Sequence, residues 1–147
     1  MSGITLREIT MDTLAAVCEL KVAPEQTEFV SSNMASMAQA YCEPKAWPRA
    51  VYAGEEPVGF VMLHDDPDAG KYFLWRFMIA AEHQGKGYGK AALDRVVEYV
   101  RTRPNASELL CSYAPGDAGP GVFYAKYGFA ETGEVDHGEN VISLALE

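Results

Sequence analysis

Short apolar runs, separated by clusters of Gly, Pro, Asp and Asn, recur along most of this chain and read as strands; three stretches switch to helical spacing. Ile4 to Ile9 is the first strand, with Ile4 and Leu6 on one face. Asp12 stands where it would cap a helix carrying Leu14, Val17, Cys18 and Lys21 at helical spacing. Pro24 ends that helix or begins the next. From Glu25 to about Tyr41, the residues Phe29, Val30, Met34, Met37 and Tyr41 form a second amphipathic stripe. Glu43 to Pro48 reads as a loop, because prolines bracket it. Ala50 to Ala53 and Val58 to Leu63 read as strands joined by a Gly54-Glu55-Glu56-Pro57 hairpin. His64 to Gly70 is acidic and rich in turn formers, and reads as an exposed connection.

Lys71 to Ile79 (KYFLWRFMI) is aromatic and apolar on both faces, the pattern of a central strand. A long helix follows, from about Gly87 to Arg103, with Ala92, Leu93, Val96, Val97 and Val100 as its buried stripe and Pro104-Asn105 as its stop. Glu108 to Tyr113 is a further strand. Val122 to Tyr127 is a short helix that Gly128 ends as a left-handed cap. Phe129 to Val135 and Asn140 to Leu146 close the chain as a hairpin across Asp136-His137-Gly138-Glu139. The order is β-α-α-β-β-β-α-β-α-β-β, which predicts an α+β fold built on a mixed sheet.

The 147 residues fit one domain, taken as residues 1–147. No apolar run approaches the roughly 20 residues that span a bilayer. No basic stretch followed by an apolar one opens the sequence, so the expected location is the cytoplasm, without membrane attachment. Cys18, Cys42 and Cys111 form neither a CxxC pair nor a Cys/His cluster at ligand spacing; reduced thiols and no metal site are expected. The net charge of −9 opposes nucleic-acid binding and weakly favours a cationic partner.

Chemistry concentrates in one segment. Phe77-Met78-Ile79 leads through a short loop into Gln84-Gly85-Lys86-Gly87-Tyr88-Gly89-Lys90 and then into the long helix. A helix N-terminus offers unpaired N–H groups and partial positive charge, which suits phosphate oxygens. Gly85, Gly87 and Gly89 allow close approach and positive φ, and Lys86 and Lys90 add charge. The glycine spacing is neither GxxxxGK[ST] nor GxGxxG, which argues against a P-loop nucleotide or a dinucleotide.

Gln84-x-x-Gly87-x-Gly89 after a hydrophobic strand resembles the acetyl-CoA loop of the GNAT acetyltransferase superfamily. Val122-Phe123-Tyr124-Ala125-Lys126-Tyr127-Gly128-Phe129 resembles its second cofactor motif, at family-like spacing. Gln26-x-x-Phe29-Val30-x-x-Asn33, Pro57-Val58-Gly59-Phe60-Val61-Met62, Leu74-Trp75-Arg76-Phe77 and the closing Thr132-Gly133-Glu134 with Gly138-Glu139 are similar to bacterial spermine/spermidine-type members.

The resemblance implies a mostly antiparallel, seven-stranded twisted sheet flanked by about four helices. It also implies direct, acetyl-CoA-dependent transfer of acetyl to a primary amine of a small molecule, plausibly a polyamine. Protein N-termini, amino acids, drug amines and CoA binding without turnover stay open. Pantetheine would pair with the backbone of Phe77, Met78 and Ile79, and the pyrophosphate with amides of Gln84, Gly85, Lys86, Gly87, Tyr88, Gly89 and Lys90. Asp117 stands where the family commonly has an Asn that touches the pantetheine arm; ionised, it accepts but does not donate. Tyr124 matches the tyrosine that protonates the departing thiolate. Gln26, Glu28, Phe29 and Asn33 would line the acceptor cleft, with Glu134 and Glu139 near its mouth. Glu28, Glu82, His83 and His64 are candidates for the base that an alkylamine, with a pKa near ~10, requires. Trp75 occupies a stretch where some members place a carboxylate. A homodimer is expected by analogy with the superfamily.

Overall fold

The computed structural model describes residues 3–27, 31–115 and 120–146. Among them, in chain order, are Ile4–Arg7 (β1), Met11–Glu19 (α1), Asn33–Cys42 (α2), Ala46–Ala53 (β2), Glu56–Asp66 (β3), Lys71–Ile79 (β4), Tyr88–Arg101 (α3), Glu108–Tyr113 (β5), Gly121–Tyr127 (α4), Ala130–Asp136 (β6) and Glu139–Ala145 (β7). Two 3₁₀ turns, Pro24–Gln26 and Ala81–His83, precede α2 and α3. The strands form a seven-stranded sheet in the order β1-β2-β3-β4-β5-β7-β6. Every neighbouring pair is antiparallel except β4 and β5, which run parallel.

Alternating strand residues feed two cores, one on each face of the sheet. On one face, Val61, Leu63, Tyr72, Leu74, Leu109 and Ile142 meet the α3 stripe of Ala92, Leu93, Val96, Val97 and Val100, with Tyr124 of α4 and Phe129 beside it. On the other, Ala50, Phe60, Met62 and Met78 meet Val17 of α1, with Met37 and Ala40 of α2 packed around them. α3 buries the apolar face that its 3.6-residue period predicts.

One irregularity positions the site. Met62 pairs with Arg76 and Leu63 with Leu74, so Trp75 is an extra residue on β4. The bulge resets the alternation: Tyr72 and Leu74 face the α3 side, and so do Phe77 and Ile79 after it. Trp75 packs on the α1/α2 side. β4 and β5 pair only at Phe73–Leu110 and Leu74–Cys111. Beyond that point β5 no longer accompanies β4, and the bulge falls at the fork.

Several boundaries differ from the sequence pattern. Thr10, not Asp12, is the N-cap of α1; its N–H donates to Thr13 Oγ1 at 2.9 Å. The second helix begins at Asn33, eight residues later than the amphipathic stripe indicates, with Ser32 Oγ accepting from the Ala35 N–H at 3.1 Å. A local cap and the Pro24–Gln26 turn override periodicity there; Phe29 and Val30 lie outside the described residues. Trp47 and Pro48 belong to β2, not to a loop. β1 pairs with β2 only over Ala50–Ala53, so Pro48 sits where β2 is an edge strand and needs no donor on that side. His64, Asp65 and Asp66 extend β3, where the sequence reads as exposed turn. Gly128 does end α4, but with φ 129° rather than in the left-handed helical well.

Candidate active site

Beside the fork of β4 and β5 lies a cavity of about 440 Å³. Phe77, Met78 and Ile79 of β4 form one wall. Gln84, Gly85, Gly87, Tyr88, Gly89 and Lys90 form the rim at the head of α3. Pro120, Phe123 and Tyr124 close the α4 side. The Phe77 and Phe123 rings stack at 5.9 Å across it, with 12° between their planes. Lys86 is exposed and stands outside the lining.

The three glycines divide the work. Gly85 and Gly87 hold φ of 80° and 83°, angles a side chain rarely takes, and open space surrounds the place of each absent Cβ. Gly89 is already helical, and a Cβ there would lie 3.4 Å from the Phe123 ring, an ordinary contact, so neither backbone angle nor packing against α4 requires a glycine at this position. The first backbone bond of α3 runs from the Ala91 N–H to Gly87 O at 3.2 Å. Among the described residues, no backbone acceptor pairs with the N–H groups of Gly85, Lys86, Gly87, Tyr88, Gly89 or Lys90. A row of unpaired donors with positive dipole behind it is a cradle for an anion such as a diphosphate. The donor set and the glycine angles fit that chemistry.

Gln84 ties the cradle to the strand before it. Its Nε2 donates to Ile79 O at 2.8 Å and to Gln26 Oε1 at 2.9 Å. Gln26 Oε1 also accepts from the Ala23 N–H at 3.0 Å. Gln26 therefore lines the cavity beside the glycine turn, as a brace for it.

Tyr124 lines the α4 side, 5% exposed, edge-on to Phe123 at 5.5 Å and to Phe129 at 5.4 Å. Burial holds its phenol well above the ordinary tyrosine value, and the neighbouring Cys111 and Glu139 push the same way. Burial also pushes the Cys111 thiol up to about 12. Both groups are neutral near pH 7, and the phenol is a proton donor.

The acceptor-side candidates scatter. Asn33 does not line the cavity: it is 2% exposed, and its amide donates to Val17 O at 2.9 Å and Leu20 O at 3.4 Å, closing the end of α1. That expectation is corrected, since helix packing consumes the amide. Glu28, Phe29 and Asp117 lie outside the described residues. Glu82 is exposed. His83 lines the cavity, buried, with Nε2 3.5 Å from Glu56 Oε2. His64 stands away from it, 4.0 Å from Glu43 and edge-on to Trp75. Glu134 is exposed on β6. Val22 and Pro120 also line the cavity, and no pattern in the sequence marks them.

The family profile described as "Acetyltransferase (GNAT) family" matches residues 12–129, from α1 through the end of α4. The chain belongs to the GNAT acetyltransferase family. It is therefore an acyltransferase, on the seven-stranded fold expected for it. This acetyltransferase is 27% identical over 151 aligned positions to the spermine/spermidine N(1)-acetyltransferase of Bacillus subtilis strain 168, covering 98% of this chain and 99% of that one. A GNAT-family acetyltransferase from Desulfovibrio desulfuricans shares the fold with a TM-score of 0.76 at 20% identity, over 98% of this chain and 99% of that one. The spermidine N-acetyltransferase of Vibrio cholerae, solved with CoA and spermine, superposes with a TM-score of 0.74 at 18% identity, over 99% and 97% of the two chains. Among the described residues of the acetyltransferase, no group of three or more His, Cys, Asp or Glu could hold a metal ion, and no helix is long and apolar enough to cross a membrane.

Proposed function

We propose that this acetyltransferase transfers acetyl from acetyl-CoA directly to a primary amine of a small molecule, and that its acceptor is a polyamine of the spermidine/spermine kind. The observation that carries the reading is the row of unpaired N–H groups from Gly85 to Lys90, at the rim of the cavity that Tyr124 also lines. Acetyl-CoA supplies the acetyl group as an activated thioester. The amides of Gly85 to Lys90 hold its diphosphate, with Lys90, paired to Asp94 at 3.1 Å, adding charge at the rim and exposed Lys86 just outside it. The β4 backbone from Phe77 to Ile79 faces the space that β5 vacates and pairs with the amide-bearing arm. Phe77 and Phe123 exclude water around it. Tyr124 keeps its proton until a thiolate takes it.

The full-length relationship to polyamine acetyltransferases and the net charge of −9 support a polycationic acceptor. The test is release of free thiol from acetyl-CoA in the presence of a panel of amines. Turnover with spermidine or spermine is the expected result. Turnover only with amino acids, peptides or drug amines overturns the polyamine assignment. CoA binding without turnover on any amine overturns acetyl transfer. We also propose a homodimer, tested by sedimentation equilibrium.

A further inference from the structure

A carboxylate stands at the fork of β4 and β5, outside the cavity lining. Leu74–Cys111 is the last β4–β5 partner pair, so Ser112 is the first β5 residue past the fork. Ser112 Oγ donates to Glu139 Oε1 at 2.7 Å. Glu139 is half-buried at the start of β7, where Val141 pairs with Ser112 and Ile142 with Cys111. Cys111 and Ile142 face the α3 side. Alternation therefore puts Ser112, Val141 and Glu139 on the other face, away from the coenzyme cradle.

The groups around Glu139 leave it without a cation in contact. Its charge acts on Arg76 of β4, Cys111 of β5 and Tyr124 of α4. Arg76 makes no ion pair with Glu139: Nη1 donates to Trp75 O at 3.0 Å and Nη2 to Gln39 Oε1 at 2.8 Å, while Nε is buried without a partner. On the neighbouring β6–β7 hairpin, His137 pairs with Asp136 at 2.7 Å, and Glu131 accepts from the hydroxyl of Tyr113 of β5 at 2.6 Å. Among the described residues Ser112 is the one hydrogen-bond partner of the Glu139 carboxylate, so Oε2 is free. His83 faces Glu56 and His64 faces Glu43, each engaged with a carboxylate of its own.

We propose that Glu139, fixed by Ser112, is the ammonium site of the acceptor and takes the proton that the amine must lose before it attacks. This rests on the acetyl-transfer reading and adds the place where the acceptor nitrogen binds and a second catalytic residue. One proton moves from the ammonium nitrogen to a Glu139 oxygen, which keeps it through the attack and releases it to solvent after the amide has formed. The freed lone pair forms the C–N bond to the acetyl carbon as the C–S bond breaks. The departing thiolate takes the Tyr124 proton, and the second nitrogen proton returns to Tyr124. The sum is ammonium plus thioester giving amide, thiol and one released proton.

The test compares wild type with Glu139→Gln and Ser112→Ala, in kcat/KM for the best alkylamine from pH 7 to 10 and in acetyl-CoA affinity by calorimetry. Glu139→Gln is expected to lose about 10²–10⁴-fold in kcat/KM at pH 7. Its rate should then climb roughly tenfold per pH unit, as solvent supplies the neutral amine. Acetyl-CoA affinity is expected to stay unchanged. Ser112→Ala keeps the carboxylate and is expected to lose about tenfold, with the wild-type pH profile. A Glu139→Gln enzyme within about threefold of wild type across that range overturns the assignment and leaves acetyl transfer standing. If Glu139→Gln does not fold, a Ser112→Ala enzyme indistinguishable from wild type overturns it. No wild-type turnover on any amine overturns the transfer reading itself.

Discussion

The Gln84 side-chain amide donates to the Ile79 carbonyl at 2.8 Å, so the last residue of β4 and the start of the glycine turn are held by one bond. Gln26 braces the same amide at 2.9 Å. The anion cradle thus takes its position from the strand that forms the cavity wall, and its donors need little reorganisation on binding. Gln84→Ala removes both contacts. It is expected to weaken acetyl-CoA binding by about 1 kcal/mol, roughly fivefold, with a smaller effect on kcat. Isothermal titration calorimetry reads the first, and thiol release at saturation the second. An unchanged dissociation constant would show that the turn keeps its shape without this tie.

Gly87 and Gly89 are two residues apart and should answer substitution oppositely. Gly87 is the N-cap of α3 with φ 83°, so Gly87→Ala forces a side chain into a left-handed angle and costs about 1 kcal/mol or more. Gly89 is helical, and its added Cβ would meet Phe123 at 3.4 Å, an ordinary contact. Gly89→Ala is expected to raise stability by up to about 1 kcal/mol, while its methyl narrows the cavity wall and weakens acetyl-CoA binding. Urea unfolding with and without acetyl-CoA separates the two effects.

The contrast between α3 and β3 shows what a sequence makes legible. The α3 stripe is a clean 3.6-residue repeat that ends in Pro104, and β4 is apolar on both faces, so both are readable in advance. The glycine turn and the Tyr124 segment are readable as a resemblance because their residues are adjacent in sequence. Asp65 reads as an exposed turn residue, since its partners Tyr99 and Arg103 are 34 and 38 residues away. Asn33 reads as a polar wall for a ligand, since nothing local shows that Val17 O will claim its amide. The Trp75 bulge is a property of pairing with β3, and no periodicity within β4 contains it. Glu139 acquires its setting from the β5–β7 register in the same way.

Asp65 supports a clamp remote from the cavity. Its side chain is 9% exposed, accepts from Arg103 Nε at 3.1 Å and also accepts from the Tyr99 hydroxyl. Tyr99 in turn stacks on Trp47 at 4.1 Å. Asp65→Ala leaves a half-buried guanidinium and a hydroxyl unpaired between β3 and the end of α3. A loss of about 2–3 kcal/mol in unfolding free energy is expected, with kcat of the folded enzyme unchanged. A thermal midpoint equal to wild type would show that water replaces the carboxylate at no cost.

Alkaline conditions should destabilise the protein before they denature an average domain. Burial raises the Cys111 thiol to about 12, whereas the unfolded thiol ionises near ~8.5. Below the unfolded value both states carry the proton, and the stabilisation is complete. Above it only the unfolded state loses the proton, so stability falls by up to about 1.4 kcal/mol per pH unit until the folded thiol ionises. Cys111→Ala lowers the starting stability by leaving a small cavity, and it should flatten that slope. Urea midpoints at pH 7, 9 and 10 measure it. Parallel slopes for the two proteins would assign the alkaline loss elsewhere, with Tyr99, raised to about 12, the next candidate.

Tyr124 offers the sharpest separation of chemistry from binding. Burial, with Cys111 and Glu139 adding to it, raises the phenol well above its usual ~10, so the acid form persists beyond the pH at which an exposed tyrosine would lose it. A raised pKa on an essential acid moves the descending limb of the rate to higher pH; kcat should therefore not fall between pH 8 and 10 on account of Tyr124. Tyr124→Phe keeps the ring contacts with Phe123 and Phe129 and removes only the hydroxyl. It is expected to lower kcat about 10²-fold, to leave acetyl-CoA affinity unchanged and to leave the shape of the pH profile below 10 unaltered. The deficit should shrink with a thioester whose thiol is more acidic, since a better leaving group needs less help from a proton donor. An undiminished kcat in Tyr124→Phe would take the acid role from this residue and leave its ring as packing.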